Sequence, residues 1–199
     1  MRHNSDMPNH IALLRGINLG GRNKIAMADL RALMAELGHG DIATYIQSGN
    51  VVFTPADGAA ATTVMADEIA AAIAAKLGVI APAIVLARHE LAQIIAANPF
   101  PQESDPKKVH AVVLSHAASA DVTERLSSAA AQSAAKGSRD DVRAIGRTVY
   151  LHTPDGYGNS DLAQQLLRIV AAPKAGTTGT ARNWATMTKL LALCDDSAP

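Results

Sequence analysis

Cysteine is almost missing from this chain: Cys194 is the only one. A lone thiol makes no internal disulfide and no cysteine cluster for a metal. A reducing, cytoplasmic compartment is the simplest expectation. Aromatic residues are scarce as well, at 3% with a single tryptophan. Core volume must therefore come from leucine, isoleucine, valine and methionine, with alanines letting helices approach closely. Net charge is absent too, since Lys+Arg and Asp+Glu both number 18. A protein that works mainly by grasping duplex nucleic acid is usually basic, because phosphate neutralisation drives that binding. The balance argues against that class and leaves room for a local basic patch. No apolar run approaches the ~18 residues of a membrane span. The first ten residues, MRHNSDMPNH, have no apolar core, so neither a secretory leader nor a membrane partner is expected.

What is present is a globular composition, 48% hydrophobic over 199 residues, enough for one large domain or two small ones. Ile11 to Leu14 reads as a buried strand. Met27, Leu30, Leu33, Met34 and Leu37 have helical spacing, and Gly38 suits the stop. Asp41 to Gln47 and Val51 to Thr54 read as strands around a turn at 48–50. Met65, Ile69, Ile73 and Leu77 mark a second helix, and Ala83 to Ala87 a strand. Strand, helix, strand, strand, helix, strand is the split βαβ, or ferredoxin-like, grammar. A further helix follows over about 89–97.

The second half repeats this order. It has a strand at 109–115, a helix at 121–135, and a hairpin of Asp141 to Ile145 with Thr148 to His152. A helix capped by Ser160, a short last strand in 176–180 and a final helix from Trp184 complete it. Asn50 to Phe53 can be set against Thr148 to Leu151, and Ala87-Arg88 against Ala181-Arg182. The expected fold class is α+β: two ferredoxin-like units with antiparallel sheets, each followed by an extra helix. They would span residues 10–98 and 108–195, with a proline-rich linker at 99–107.

Three polar segments stand out. Arg15 to Lys24 joins a strand to a helix and carries Gly16, Gly20 and Gly21 among Arg15, Arg22 and Lys24. Such a loop can present backbone N–H groups to an anion. It is no P-loop, because Arg22-Asn23 stands where Lys-Ser/Thr is required, and it is not GxGxxG. Its bland reading is a tight connection with solvated charges. Gln47-Ser48-Gly49-Asn50 is either turn chemistry or a hydrogen-bonding cluster. Ser48 has no G-x-S-x-G elbow around it to make it a nucleophile. In the third segment, ending Thr180-Ala181-Arg182-Asn183-Trp184, Asn183 suits a helix cap and Trp184 suits core packing. An Arg–Trp pair can also sandwich a planar ligand. His110 and His116 share strand parity, but no metal-ligand spacing supports a site there.

LLRGINLGG, MADLR, TYIQSGNVVF, NPFP and TARNWATMTKLL together resemble the bacterial domain-of-unknown-function family 1697. The resemblance implies an α+β architecture with ferredoxin-like elements. It implies no activity, cofactor or catalytic residue, so no catalytic role passes to any position. The motif positions are Arg15, Gly16, Asn18, Gly20, Gly21, Gln47, Ser48, Gly49, Asn50, Arg182, Asn183 and Trp184. Ala26 stands where proline is expected, which bears on the helix start.

The functional expectation is a binding domain for an anionic small molecule or nucleotide. Arg15, Asn18, Gly20, Gly21, Lys24, Gln47, Ser48, Asn50, Arg182, Asn183 and Trp184 would line one cleft if the last strand lies beside the first. A single-stranded nucleic acid is the other partner the residues suggest. No cofactor and no metal are expected. An enzyme acting on a phosphorylated or carboxylated small molecule, or an oligomerisation domain, are the alternatives.

Overall fold

A computed structural model describes residues 8–58, 60–171 and 176–195. The chain forms two compact units. Among the described residues, one runs to Gln93 and includes Lys189–Asp195; the other is Ile94–Thr188.

In the first unit, β1 (His10–Leu14), α1 (Met27–Glu36), β2 (Gly40–Tyr45), β3 (Asn50–Thr54), α2 (Thr62–Leu77) and β4 (Ala83–Ala87) follow one another, and α3 (Arg88–Ala96) begins directly after β4 and runs on into residues of the second unit. The sheet order is β2-β3-β1-β4, antiparallel throughout. The apolar run of β1 takes a central place because both its edges are paired and Ile11 to Leu14 are all buried. Alternation in the strands turns Ala12, Leu14, Val51, Phe53 and Val85 toward the helices, where Leu30, Leu33 and Met34 meet Met65, Ile69 and Ile73. β2 stops at Tyr45, two residues short of the expected end, because Ile46 turns to positive φ (50°).

In the second unit, β5 (Val109–Leu114), α4 (Ala120–Ala135), β6 (Asp141–Ile145), β7 (Thr148–His152), α5 (Asp161–Ala171), β8 (Gly179–Asn183) and α6 (Trp184–Asp195) repeat the order, the last helix running on into residues of the first unit. The sheet is β6-β7-β5-β8. Ser119 and Ser160 cap α4 and α5 by accepting from Val122 and Ala163 N–H at 3.2 and 2.8 Å. Val112, Leu114, Val149 and Leu151 pack under Val122, Leu126, Leu162 and Leu166. The segment before β5 is tied down: Phe100 is buried against His152, Glu103 bonds His152 Nε2 at 2.8 Å, and Trp184 N–H donates to the Pro106 carbonyl. The Asp105 backbone N–H, and then His152, hold the Glu103 carboxyl below its ordinary range.

Strand register makes the two units equivalent. His10 faces Phe53 and Ala87, and His110 faces Leu151 and Asn183. The spacings are therefore 100 (110 − 10), 98 (151 − 53) and 96 (183 − 87). The match of Asn50 to Thr148 follows this register. That of Ala87 to Ala181 does not, because β8 lies at Gly179–Asn183 rather than 176–180. Ala87 is equivalent to Asn183, and Arg88 to Trp184, each pair closing a strand and opening a helix. Backbone bonds agree: Leu14 N–H donates to Gly49 O and Leu114 N–H to Arg147 O, both at 2.8 Å.

Candidate anion-binding site

The connection from β1 to α1 is a small projecting hairpin on a buried base. Ile17 and Ile25 anchor it in the core. Between them, Asn18 N–H donates to Asn23 O at 3.0 Å, and Leu19 pairs with Arg22 across Gly20-Gly21. Both glycines have positive φ, 55° and 79°, as a two-residue type I′ hairpin turn requires. Asn18 and Asn23 are also left-handed, a conformation asparagine tolerates better than most residues.

Asn18 is the clip that joins this hairpin to the β2–β3 turn. Its Nδ2 donates to Ile25 O at 3.0 Å and Gln47 O at 2.8 Å, and its Oδ1 accepts from Ile25 N–H at 2.9 Å. Asn23 Nδ2 donates to Gly16 O at 3.0 Å. Asn50, fully buried, donates to Tyr45 O and Ser48 Oγ at 3.0 and 2.8 Å. Gly49 lies so close to the hairpin base that a Cβ there would stand 2.7 Å from Leu14 Cβ and 2.8 Å from Ile17 Cδ1. Two of the three polar segments are thus joined into one surface by hydrogen bonds and close packing. Asn18 and Asn50 build it from within, while Arg22, Lys24 and Gln47 are exposed and Arg15 is half-buried. The side chains of those three cations have no hydrogen-bond or ion-pair partner among the described residues. Elsewhere Lys76 pairs Glu36, Arg88 pairs Asp195 and Arg143 pairs Asp141. Segments 15–26, 46–50 and 78–82 contain no aspartate or glutamate and no histidine. The surface can attract and hydrogen-bond an anion, but it offers no general base.

The third segment belongs to the second unit. β8 pairs with β5, not with β1, so the pairing that was to bring Arg182 beside the first loop is not formed. Arg182 is buried, which lowers its pKa to about 10, and its Nη1 donates to Thr180 Oγ1 and Ala181 O, both at 2.8 Å. Asn183 Oδ1 caps α6 by accepting from Thr186 N–H at 2.9 Å. Trp184 is half-buried against Tyr150.

Leu19, Ile46 and Ile80, none of them among the expected site residues, are 66%, 53% and 83% exposed at the same end of the first sheet. Ile46 is a β-branched residue at positive φ, a strained and unusual placement. Its signal was an isoleucine directly before Gln-Ser-Gly-Asn, where a turn was already expected.

Fold and site together define an α+β protein of two ferredoxin-like units, one of which carries a cationic hairpin surface. The chain belongs to the family described as a protein of unknown function (DUF1697), whose model matches residues 7–150. It is similar in structure to the conserved bacterial protein SP0830 from Streptococcus pneumoniae. The TM-score is 0.65 at 20% identity, covering 94% of this chain and 99% of that one. That likeness shows the fold. No curated protein matches the chain.

Proposed function

We propose that the first unit is a binding module for a phosphate- or carboxylate-bearing small molecule or nucleotide, held by Arg15, Arg22 and Lys24 on the hairpin surface with Gln47 beside them. The observation that carries this reading is the comparison of the two units. In the second, the strand-to-helix connection is made by residues 115–119; in the first, the equivalent connection takes residues 15–26. Five residues suffice for the crossover, so the longer loop, with all three cations, is not needed to close the fold. Loops on a rigid scaffold are where binding groups concentrate, and the Asn18 clip holds this one in a fixed shape.

Thermal shift and calorimetry with inorganic phosphate, nucleotides and sugar phosphates test the proposal. A ligand at a hundred times its Kd raises stability by about 2.7 kcal/mol. Each charge-assisted hydrogen bond contributes about 1.5–3 kcal/mol, so Arg15→Ala or Lys24→Ala should weaken binding roughly tenfold or more. A silent panel with the native protein, or affinities unchanged in both variants, would refute it.

A further inference from the structure

Leu19, Ile46 and Ile80 are three of the five large aliphatic side chains exposed among the described residues. They belong to segments far apart in the chain but gathered at one end of the first sheet. Leu14 pairs with Ala83 and Leu13 with Asn50, so β1 ends where β3 and β4 begin. Arg15 N–H donates to Pro82 O at 2.9 Å, tying the start of the hairpin loop to the segment that holds Ile80. Asn18 ties the same loop to Gln47, next to Ile46. Around these aliphatics stand Arg15, Arg22 and Lys24 with no acid in the three segments. A chain with no net charge thus has a pole of three positive charges studded with aliphatic groups.

We propose that this pole docks peripherally on an anionic phospholipid surface. The cations would meet headgroup phosphates, while Leu19, Ile46 and Ile80 would enter the boundary of the acyl region. The proposal rests on the anion-binding reading of the same cations. Charge complementarity selects a negative partner, and the aliphatic side chains select among negative partners. Single-stranded nucleic acid is gripped by stacking successive bases on several aromatic rings, and the one aromatic residue bordering segments 15–26, 46–50 and 78–82 is the half-buried Tyr45. Long cationic side chains can reach the phosphate layer while their stems lie along apolar surface. A peripheral contact of this kind needs neither a membrane-spanning run nor an apolar leader.

Co-sedimentation of the full chain with vesicles decides the matter. Binding is expected to vesicles of phosphatidylcholine mixed with phosphatidylglycerol, not to phosphatidylcholine alone, and should weaken as salt screens the charges. The neutral double substitution Leu19→Ser/Ile80→Ser removes two exposed side chains and leaves the fold and the cations in place. It should lower vesicle affinity at least tenfold without changing affinity for inorganic phosphate or ATP. No sedimentation with phosphatidylglycerol vesicles at low salt overturns the proposal, as does equal binding to both vesicle types. Full binding by the double variant overturns it too, and so does binding to an oligothymidylate without binding to vesicles. If phosphate and ATP fail to bind while the vesicle results come out as expected, the small-anion reading falls and the lipid contact stands.

Discussion

Gly49 shows how much of this surface hangs on single residues. Its φ of +74° and the 2.7 Å separation that a Cβ would have from Leu14 leave no room for alanine. Gly49→Ala should cost roughly 2–4 kcal/mol through overpacking and left-handed strain, measured as a fall in the urea midpoint. A loss below about 0.5 kcal/mol would mean that the β2–β3 turn and the hairpin base are not packed as described. His110 sets a different dependence. It is buried against Tyr157, its Nδ1 has no hydrogen-bond partner among the described residues, and burial lowers its pKa from 6.5 to about 4. The unfolded chain therefore takes up this proton more readily than the folded one. Protonation favours unfolding, so stability falls as pH drops from about 6.5 toward about 4, by up to roughly 3 kcal/mol from this group. His110→Phe keeps an aromatic ring beside Tyr157 and removes the titration, so its loss of stability between pH 7 and about 4.5 should be smaller by a similar amount. His10 and His39 are lowered by burial as well, so an acid limb persists in the variant. Identical pH profiles for variant and parent would refute the assignment to His110.

Elements differ in how far the sequence reveals them, and the reason is physical. β4, β6 and β7 fall at the residues their apolar alternation and flanking turns mark, Ala83–Ala87, Asp141–Ile145 and Thr148–His152. β8 was displaced because Gly179-Thr-Ala-Arg-Asn183 has no apolar run; its place is set by pairing with β5, a long-range fact. The hairpin at 18–23 was hidden for a related reason. Its arms are two residues long, so no alternation announces them, and Gly20-Gly21 serves a phosphate nest and a type I′ turn equally well. The cations were legible, but the Asn18 clip to Gln47 was not, because it bridges residues 29 apart. The start of α1 yields a prediction at this scale. Ala26 has φ −69° and ψ 137°, within the range of proline. Its N–H has no acceptor among the described residues, so a pyrrolidine ring sacrifices no bond. Ala26→Pro should raise stability by about 0.4–1 kcal/mol by restricting the unfolded chain. A drop in melting temperature would show that Ile25 cannot take the extended conformation a following proline demands.

At the scale of the molecule, one architecture occurs twice with different fillings. Both sheets have the same order and register, yet only the first carries the long cationic connection, and each has a hydrophobic cluster of its own. No residue belongs to both clusters: Ile69 sits among Leu30, Met65 and Phe53, and Leu166 among Val122, Leu151 and Leu162. Truncating either to alanine removes buried methyl groups and leaves a cavity, at a cost of about 2–5 kcal/mol. Where that cost appears is the informative part. Native-state hydrogen exchange reports stability strand by strand. Ile69→Ala should lower protection most in β1, β3 and β4, and Leu166→Ala most in β5, β7 and β8. A loss spread equally over both sheets in either variant would mean that the two clusters melt as one cooperative core. Localised losses would show that the hairpin surface draws its rigidity from the first cluster alone. In that case Ile69→Ala should weaken phosphate binding at the hairpin, while Leu166→Ala should leave it unchanged.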